Sequence, residues 1–458
     1  MKPHLHFMGI AGVGMSGLAR WYLADGYPVS GCDALDSPEL HTLRRQGVTA
    51  HLGHDAAHMN DADVLVSSMA VPATHPEVQA AQELGKPALR RIELLARLLR
   101  ERRSVTITGT HGKSTTTGMI ATLFLKADLD PSVLVGGQLA SLGSNVRYGR
   151  GAWLVAEVDE SDPGFAALPS EIAVLTNLED DHIAGEFSER RNYHATLEDL
   201  YAAARSFAGH AERVLYCADW PELAKVVAGL PQTVSYGLHE RATYRAEIHE
   251  LSGSSSRFSV HTPTGCCVVE LPVPGAHNVQ NATAALAAAH LAGLELGQAA
   301  EHLGSFSGVG RRWQRRGSVR GALVIDDYAH HPTEVEATLE AARHTGRRVR
   351  AVLQPHRWVR TARHWRALAD AAGLADEVLV LDIYGAGEAA IPGVSADRIV
   401  ERLRAAGRAA ERYTAASAQA YLSETLSPGD LIITLGAGDV WRVAEGLVSA
   451  AGGDDGSA

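Results

Sequence analysis

Lysine is scarce in this chain: of 42 basic residues only Lys2, Lys86, Lys113, Lys126 and Lys225 are lysines. A lysine inside a glycine-rich turn is therefore hard to ascribe to composition. Cysteine is scarcer, with Cys32, Cys217, Cys266 and Cys267 showing no C-x-x-C spacing. The adjacent pair could not bridge to itself without strain, so all four read as reduced and structural. No apolar run is long enough to cross a bilayer. The start, MKPHLHFMGI, lacks the charged region, long apolar stretch and cleavage site of a secretory leader, so a cytoplasmic protein is expected, with no membrane partner. Nor is there an excess of positive charge. A formal net charge of -11 argues against nucleic acid as a bulk partner, because phosphate backbones are bound by basic surfaces. There is no internal repeat or low-complexity tract.

What is present is a chain of 458 residues with 46% hydrophobic and 21% charged residues, enough for roughly three globular domains. Its organising stretch is GTHGKST, Gly109 to Thr115, between the strand-like VTIT and the helix-like TTTGMIATLF. Glycines let backbone amides approach a polyphosphate, and a helix N-terminus favours anions. Lys113 can reach terminal phosphates and the Ser114 hydroxyl can ligate magnesium. The loop is shorter by two residues than the common P-loop, whose first glycine would fall at Ile107.

At the start, LHFMGIAGVGMSGLA contains Gly12, Gly14 and Gly17 in a G-x-G-x-x-G layout, with Asp33 following Gly12 by 21 residues. That is the dinucleotide-binding arrangement, and a UDP-sugar diphosphate satisfies the same physics. DVLVSSMAVP reads as a further buried strand ending at Ser67 and Ser68. A charged helix, RRIELLARLLRERR, closes this region and sets a boundary at 98. In the central region WLVAEVDESD and AVLTNLEDDH are apolar runs that finish in acids. Glu157, Asp159, Glu160, Asp162, Asp180, Asp181 and His182 are thus candidates to hold a hard cation, with solvated turns as the alternative for most. Short strands TYRAEIHEL, SRFSVHT and CCVVELPV precede a helix that puts Asn278 and Asn281 on one face, where they could contact a nucleotide or cap the helix. From about residue 310 strands and helices alternate again, predicting a second doubly wound sheet, and the tail AGGDDGSA reads as disordered.

In order, GVGMSG, GTHGKSTTT, EVDESD, TNLEDDH, HNVQNA, GRR, DDYAHHPTE, QPHR and LGAGD resemble the Mur ligases of peptidoglycan synthesis. The resemblance implies an α/β enzyme of three domains: an amino-terminal Rossmann-like UDP-sugar domain (1–98), a central P-loop ATPase-like sheet (99–309) and a carboxy-terminal Rossmann-like domain (310–450), then the tail 451–458. It implies that ATP, with Mg2+, converts the lactyl carboxylate of UDP-N-acetylmuramate to an acyl phosphate, which the amine of L-alanine attacks. The implied UDP-sugar contacts are Gly12, Gly14, Met15, Ser16, Gly17, Asp33 and Ser67. ATP would meet Gly109, Thr110, His111, Gly112, Lys113, Ser114, Thr115, Asn278, Asn281, Arg312 and Asp327. Ser114, Glu157 and His182 would hold metal, and Lys113, Glu157, His182 and Arg312 would be catalytic, with Arg311 the alternative to its neighbour. The amino acid would meet His330, His356, Arg357 and Arg360, whose guanidinium groups suit a carboxylate. A monomer or dimer is expected.

Two departures from the family accompany the match. Other Mur ligases use a carbamylated lysine, but Lys225, in PELAK, is the single lysine between His182 and Asn278, and it carries no such expectation. IAGEFSERR after His182 also differs from the usual continuation. Three other activities compete with this one. Joining a recovered murein tripeptide to the same UDP-sugar fits QPHRWVRT and GVGMSG less well. A nicotinamide oxidoreductase leaves GTHGKST unexplained, and a nonenzymatic ATP-dependent switch is the third.

Overall fold

A computed structural model of the chain describes residues 2–68, 71–181, 183, 194–450 and 452. It divides into two compact units, Met1–Arg245 with Thr283–His302, and Ala246–Ala282 with Leu303–Ala458. The expected tail falls almost wholly outside the described residues. Among them, no helix is long and apolar enough to cross a membrane.

The first unit opens with a five-stranded sheet, β1 (Leu5–Met8), β2 (Val29–Asp33), β3 (Thr49–Leu52), β4 (Val64–Ser67) and β5 (Ala88–Arg90), in the order β3-β2-β1-β4-β5. All neighbours are parallel. β1 and β4 are buried along their whole length, as strands covered on both faces require. The order reverses between β1 and β4, so the carboxyl ends of β1, β2 and β4 form a switch-point crevice, where open α/β sheets bind ligands. Gly12 N-caps the helix Val13–Ala24 at that edge. The helix Arg91–Glu101 follows and runs through position 98, where the sequence set a boundary.

A second sheet of this unit comprises β6 (Arg103–Thr108), β7 (Ser132–Leu139), β8 (Ser144–Arg147), β9 (Trp153–Glu157), β10 (Ser170–Leu175), β11 (Ala211–Cys217) and β12 (Thr233–Gly237), ordered β8-β7-β9-β6-β10-β11-β12. β6 is central, parallel to β9 on one side and β10 on the other. Its polar Thr106 is tolerated there because its hydroxyl donates to Ser170 Oγ at 2.8 Å. The helix Lys113–Lys126 that follows is buried from Ser114 to Phe124, as a helix apolar or small on every side must be. The division between the units falls within β13 (Tyr244–Leu251).

In the second unit β14 (Ser256–Thr262) and β15 (Gly265–Leu271) form an antiparallel hairpin. Its main sheet holds β16 (Gln314–Val319), β17 (Ala322–Asp327), β18 (Arg348–Leu353), β19 (Glu377–Val380), β20 (Ala409–Arg412) and β21 (Asp430–Leu435), ordered β16-β17-β21-β18-β19-β20. Only β16 runs antiparallel to its neighbour. Strand residues alternate between the two faces. Ile325, Ala351, Leu353 and Ile433 pack with Val335, Leu339, Leu368 and Ile399 of three helices, while Val324, Val352 and Ile432 pack with Leu422, Val443 and Leu447 of two others. The chain moves outward from β18 to β20 beneath the first layer and returns under the second to fill the slot of β21. This is the doubly wound sheet that the alternation of strands and helices predicts.

A fully buried guanidinium sits inside this unit. Arg350 of β18 is fully buried, with Nε 2.7 Å from Glu377, Nη1 3.3 Å from Asp430 and Nη2 2.8 Å from Thr425 Oγ1. Removing one member of a buried ionic group strands the others, which costs about 3–5 kcal/mol. Arg350→Ala is therefore expected to lower the stability of the second unit by that amount in chemical denaturation, and Arg350→Met, Glu377→Gln and Asp430→Asn combined by much less.

Candidate active site

In the first unit β6 stops at Thr108 and Gly109 to Gly112 turn into the helix Lys113–Lys126. Gly109 (φ 130°) and Gly112 (φ 81°) occupy backbone conformations that favour glycine. At Gly109 the demand is also steric, since a Cβ would lie 2.6 Å from the Asn177 carbonyl oxygen and closer still to Thr176 Oγ1. The segment beyond β10 fixes this turn. Thr110 N donates to Asn177 O at 2.9 Å, and His111 N to Asn177 Oδ1 at 2.7 Å. Thr176 Oγ1 and Asn177 Nδ2 both donate to His111 O, at 2.6 and 3.1 Å. Glu179 N donates to Thr110 Oγ1 at 2.9 Å, and the Glu179 carboxylate meets His111 Nε2 at 2.8 Å.

Lys113 folds back over the turn. Its Nζ donates to Gly109 O at 2.6 Å, Thr110 O at 3.1 Å and Glu160 Oε2 at 2.7 Å, one acceptor for each of three N–H donors. Burial would lower its pKa, but the charges of Glu160, Asp159 and Glu157 outweigh burial and raise it, so the ammonium stays charged. Ser114 and Thr115 lie buried in the first helical turn.

The acids beyond β9 divide by what they touch. Glu157 ends the strand and accepts from Gly136 N at 2.6 Å. A Cβ on Gly136 would stand 2.5 Å from Glu157 Oε1, so the absent side chain leaves the carboxylate its room. Glu160 is buried against Lys113. Asp159 accepts from Ser161 N and Oγ at 3.0 and 2.7 Å. Asp162 caps a short 3-10 helix through Gly164 N at 3.0 Å, and burial raises its pKa. Asp180 is exposed and Asp181 buried. His182 lies outside the described residues.

At the first sheet Asp33 accepts from Ala11 N at 3.0 Å and Leu35 N at 3.2 Å, fastening the turn after β1 to the end of β2. Gly12 and Gly14 are exposed, while the side chains of Met15 and Ser16 are buried. A Cβ on Gly14 would lie 2.6 Å from Arg91 Nη1, and one on Gly17 would lie 3.6 Å from Asn145 Nδ2. Ser67 is buried at the end of β4, 3.5 Å from Arg90 Nη1, which also donates to Ser68 O and Val71 O at 2.9 and 3.0 Å.

In the second unit the expected residues gather beyond β17 and β18. His330 and His356 meet with ring centroids 5.6 Å apart, Arg360 Nη1 lies 3.0 Å from His356 Nδ1, and His356 stacks on Tyr384 at 5.7 Å. Arg357, at φ 66°, opens the helix Trp358–Ala372 and grips Glu388 with Nε and Nη2, both at 2.6 Å. Burial would raise the Glu388 pKa, but hydrogen bonds from Val359 N and Arg357 hold it low. Asn281 Nδ2 donates to Asn278 Oδ1 at 3.3 Å, and Asn278 Nδ2 donates to Pro274 O at 2.7 Å, so the two amides do share a face. Arg311 is committed to Asp326 at 3.1 Å and to Gly436 O and Gly438 O at 2.6 and 3.1 Å. Arg312 lies over the Tyr328 ring at 5.0 Å and 3.5 Å from Glu334. Arg312 and burial together push His277 down to about 4, burial having the larger share.

Asp327 accepts from Trp313 N at 2.7 Å and Ala329 N at 2.8 Å, yet burial pushes its pKa up to about 6 against the lowering effect of Arg312. The roles of Thr176, Asn177, Glu179, Glu388 and Tyr384 escaped sequence reading. TNLE, directly after an apolar run, was the available signal for the first three.

Three family models match the chain: "Mur ligase family, catalytic domain" over residues 4–103, "Mur ligase middle domain" over 107–289 and "Mur ligase, glutamate ligase domain" over 311–438. A UDP-N-acetylmuramate--L-alanine ligase of Deinococcus radiodurans is 46% identical over 453 residues, covering 97% of this chain and 93% of the relative. One from Methylocella silvestris is 40% identical over 464 residues, covering 97% of each. The solved UDP-N-acetylmuramate-alanine ligase of Thermotoga maritima superimposes with a TM-score of 0.82 at 27% identity, covering 98% of this chain and 99% of that one. A murein peptide ligase from Psychrobacter arcticus shares the fold, with a TM-score of 0.69 at 24% identity and coverage of 98% and 99%.

A carboxyl whose folded pKa is raised contributes stability that is full below its unfolded value, near 3.8, and is lost as pH rises through about 6. The buried Asp327 is thus expected to cost the second unit up to ~3 kcal/mol across that interval. Denaturation curves at a series of pH values should show the loss, and Asp327→Asn should flatten it.

Proposed function

The chain belongs to the Mur ligase family, and from that membership we propose how its residues carry out the reaction of the alanine-adding branch. It is an ATP-dependent ligase that forms the amide bond between the lactyl carboxylate of UDP-N-acetylmuramate and L-alanine, giving ADP and phosphate, in peptidoglycan precursor synthesis. The near-full-length identity to two alanine-adding ligases carries this reading. The tripeptide and oxidoreductase alternatives are not favoured.

A carboxylate is a poor acyl donor, because its leaving group would be oxide. Transfer of a phosphoryl group to it creates an acyl phosphate, and the amine of alanine then displaces phosphate. Such transfer needs positioning and charge neutralisation more than covalent help from the protein. In our reading Gly109, Thr110, His111, Gly112 and Thr115 present backbone to the phosphates, while Lys113 exchanges a loop carbonyl or Glu160 for phosphate oxygen. The permanent charge of Lys113 supports that role. Asn278, Asn281, Arg312 and Asp327 serve the nucleotide. Commitment of Arg311 to Asp326 and two glycine carbonyls leaves Arg312 the better candidate of the pair.

Ser114 and Glu157 are oxygen donors of the kind that magnesium takes, and the missing side chain at Gly136 leaves the Glu157 carboxylate its room, so the residues fit the ion. Bound there with His182, magnesium would neutralise phosphate charge. For UDP-N-acetylmuramate we assign Gly12, Gly14, Met15, Ser16, Gly17, Asp33 and Ser67, and for L-alanine His330, His356, Arg357 and Arg360. We divide the chain functionally at 98 and 309. A net charge of -11 supports the absence of nucleic-acid partners, and the substrates themselves support a cytoplasmic location, where we take the chain to act as a monomer or dimer.

Phosphate release from ATP should require both UDP-N-acetylmuramate and L-alanine; release independent of either would overturn the reading. Lys113→Ala is expected to abolish ligation, a loss of at least about 1000-fold for a group that stabilises transferred charge. Calorimetry should find UDP-sugar binding largely retained in that variant. Arg357→Ala is expected to raise the apparent KM for L-alanine about 10-fold or more, the worth of a charged hydrogen bond, with the KM for ATP nearly unchanged. A rise in the ATP requirement instead would remove Arg357 from the alanine site.

A further inference from the structure

One group of metal-ligating side chains stands apart from the phosphate loop and the residues assigned to substrates. Beneath the first sheet His6 (β1), Cys32 (β2), His58 and Glu77 place one ligand atom each within 4.8 Å of all the others. Glu77, on the helix Pro76–Glu83, is fully buried. Its carboxylate lies 2.7 Å from His58 Nδ1, 3.2 Å from Cys32 Sγ and 3.7 Å from His6 Nε2. His6 is 1% exposed, and its Nε2 has no hydrogen-bond partner among the described residues. Its Nδ1 is occupied by Ser30 Oγ at 2.8 Å. That outer contact fixes the ring so that Nε2 points into the cluster, as the second hydrogen bond of a metal-bound histidine does.

We propose that His6, Cys32, His58 and Glu77 form a tetrahedral site for a divalent transition metal of the zinc class. Two imidazoles, a thiolate and a carboxylate are the nitrogen, sulfur and oxygen donors that zinc accepts, and their mixed character disfavours magnesium or calcium. The charge also balances: two anionic ligands neutralise a dication, which suits a buried position. With bonds of about 2.0–2.3 Å a tetrahedron has edges of roughly 3.3–3.8 Å. The contacts of Glu77 with Cys32 and His6, at 3.2 and 3.7 Å, are already at that scale. Uptake expels the Cys32 thiol proton, leaving the thiolate on the metal. Entry is provided by His54, an exposed residue whose Nδ1 lies 3.1 Å from Cys32 Sγ and 3.4 Å from the Glu77 carboxylate. The ligands come from β1, β2, the 3-10 turn Ala56–Met59 and the helix Pro76–Glu83. A bound ion thus ties together the elements beneath the switch-point crevice, one residue from Asp33, and Cys32 is more than an inert buried thiol.

The test uses the full-length protein, stripped with a chelator and then loaded with zinc(II) or cobalt(II) alone in the presence of excess magnesium. About one zinc per chain should remain after gel filtration, and cobalt should give tetrahedral visible bands with a thiolate charge-transfer band. Cys32→Ser should remove that band while Cys266→Ser keeps it, and Ser30→Ala should weaken zinc binding ~10–100-fold. If Cys32→Ser does not fold, zinc should still slow modification of Cys32 in the wild-type chain by a disulfide reagent at least about 10-fold, since a metal-bound thiolate is masked. Absence of retained zinc, a charge-transfer band that survives Cys32→Ser, or thiol reactivity indifferent to zinc each overturns the proposal. These readouts do not use ligase activity.

Discussion

The first unit is arranged around one ammonium ion that has to keep its charge. Lys113 is held against two carbonyls of its own loop and the buried carboxylate of Glu160. A lysine buried without such company would deprotonate; a carboxylate buried without it would protonate. Glu160 helps to keep Lys113 charged, and the turn from Gly109 to Gly112 is built around that ammonium. Its carbonyls must point at Nζ on one side, while its amides and the His111 carbonyl are fastened to Thr176 and Asn177 on the other. Only glycine can take the backbone of Gly109 so close to Asn177. The central placement of β6, between the strands that carry Glu157 and Thr176, is what brings these groups within reach.

Much of this architecture was legible in the residues. The alternation of strands and helices specifies both doubly wound sheets because burial on two faces demands largely apolar strands, as in LHFM of β1, VLVS of β4 and LIITL of β21. The glycine loop is legible for a different reason: few residue types allow a backbone to approach a phosphate, so its composition is constrained. What holds the loop was much less visible. Thr176 and Asn177 act through sequence separations of more than sixty residues, and nothing local marks an asparagine whose amide completes a turn elsewhere. The acids at the ends of β9 and β10 show the same limit. Glu160 differs from Asp159 and Asp162 by its partner, and a partner is a property of the fold.

The second unit shows how ambiguity between neighbours is resolved. Arg311 and Arg312 are indistinguishable in GRR. Arg311 is held by Asp326, Gly436 and Gly438, and its backbone, at φ 59°, is turned to suit those bonds. Arg312 lies instead by Glu334 and Tyr328, and its charge is felt by His277 and Asp327. The strained backbone of Arg311 is thus an anchoring cost, offset by three contacts. Arg357 has the same design, with a left-handed backbone and a carboxylate, Glu388, that also accepts from Val359 N. In both places a structural carboxylate sets the direction of the chain beside the candidate residues.

Those carboxylates bear on how anionic substrates are admitted at all. A chain with a net charge of -11 must bind ATP, a UDP-sugar and a carboxylate through local positive potential. Its cations are not left exposed while waiting: Lys113 rests on Glu160 and Arg357 on Glu388. Preorganised in this way, each cation keeps its place and charge without being solvated, and in the proposed reading an entering phosphate or carboxylate replaces an anion rather than water. The exchange is nearly balanced in charge–charge attraction, so its direction is set by valence. A polyphosphate carries several charges where Glu160 carries one, and it also collects the amides at the helix start. Selectivity for polyphosphate over a simple anion then follows from the resident carboxylate, which a weak competitor cannot displace.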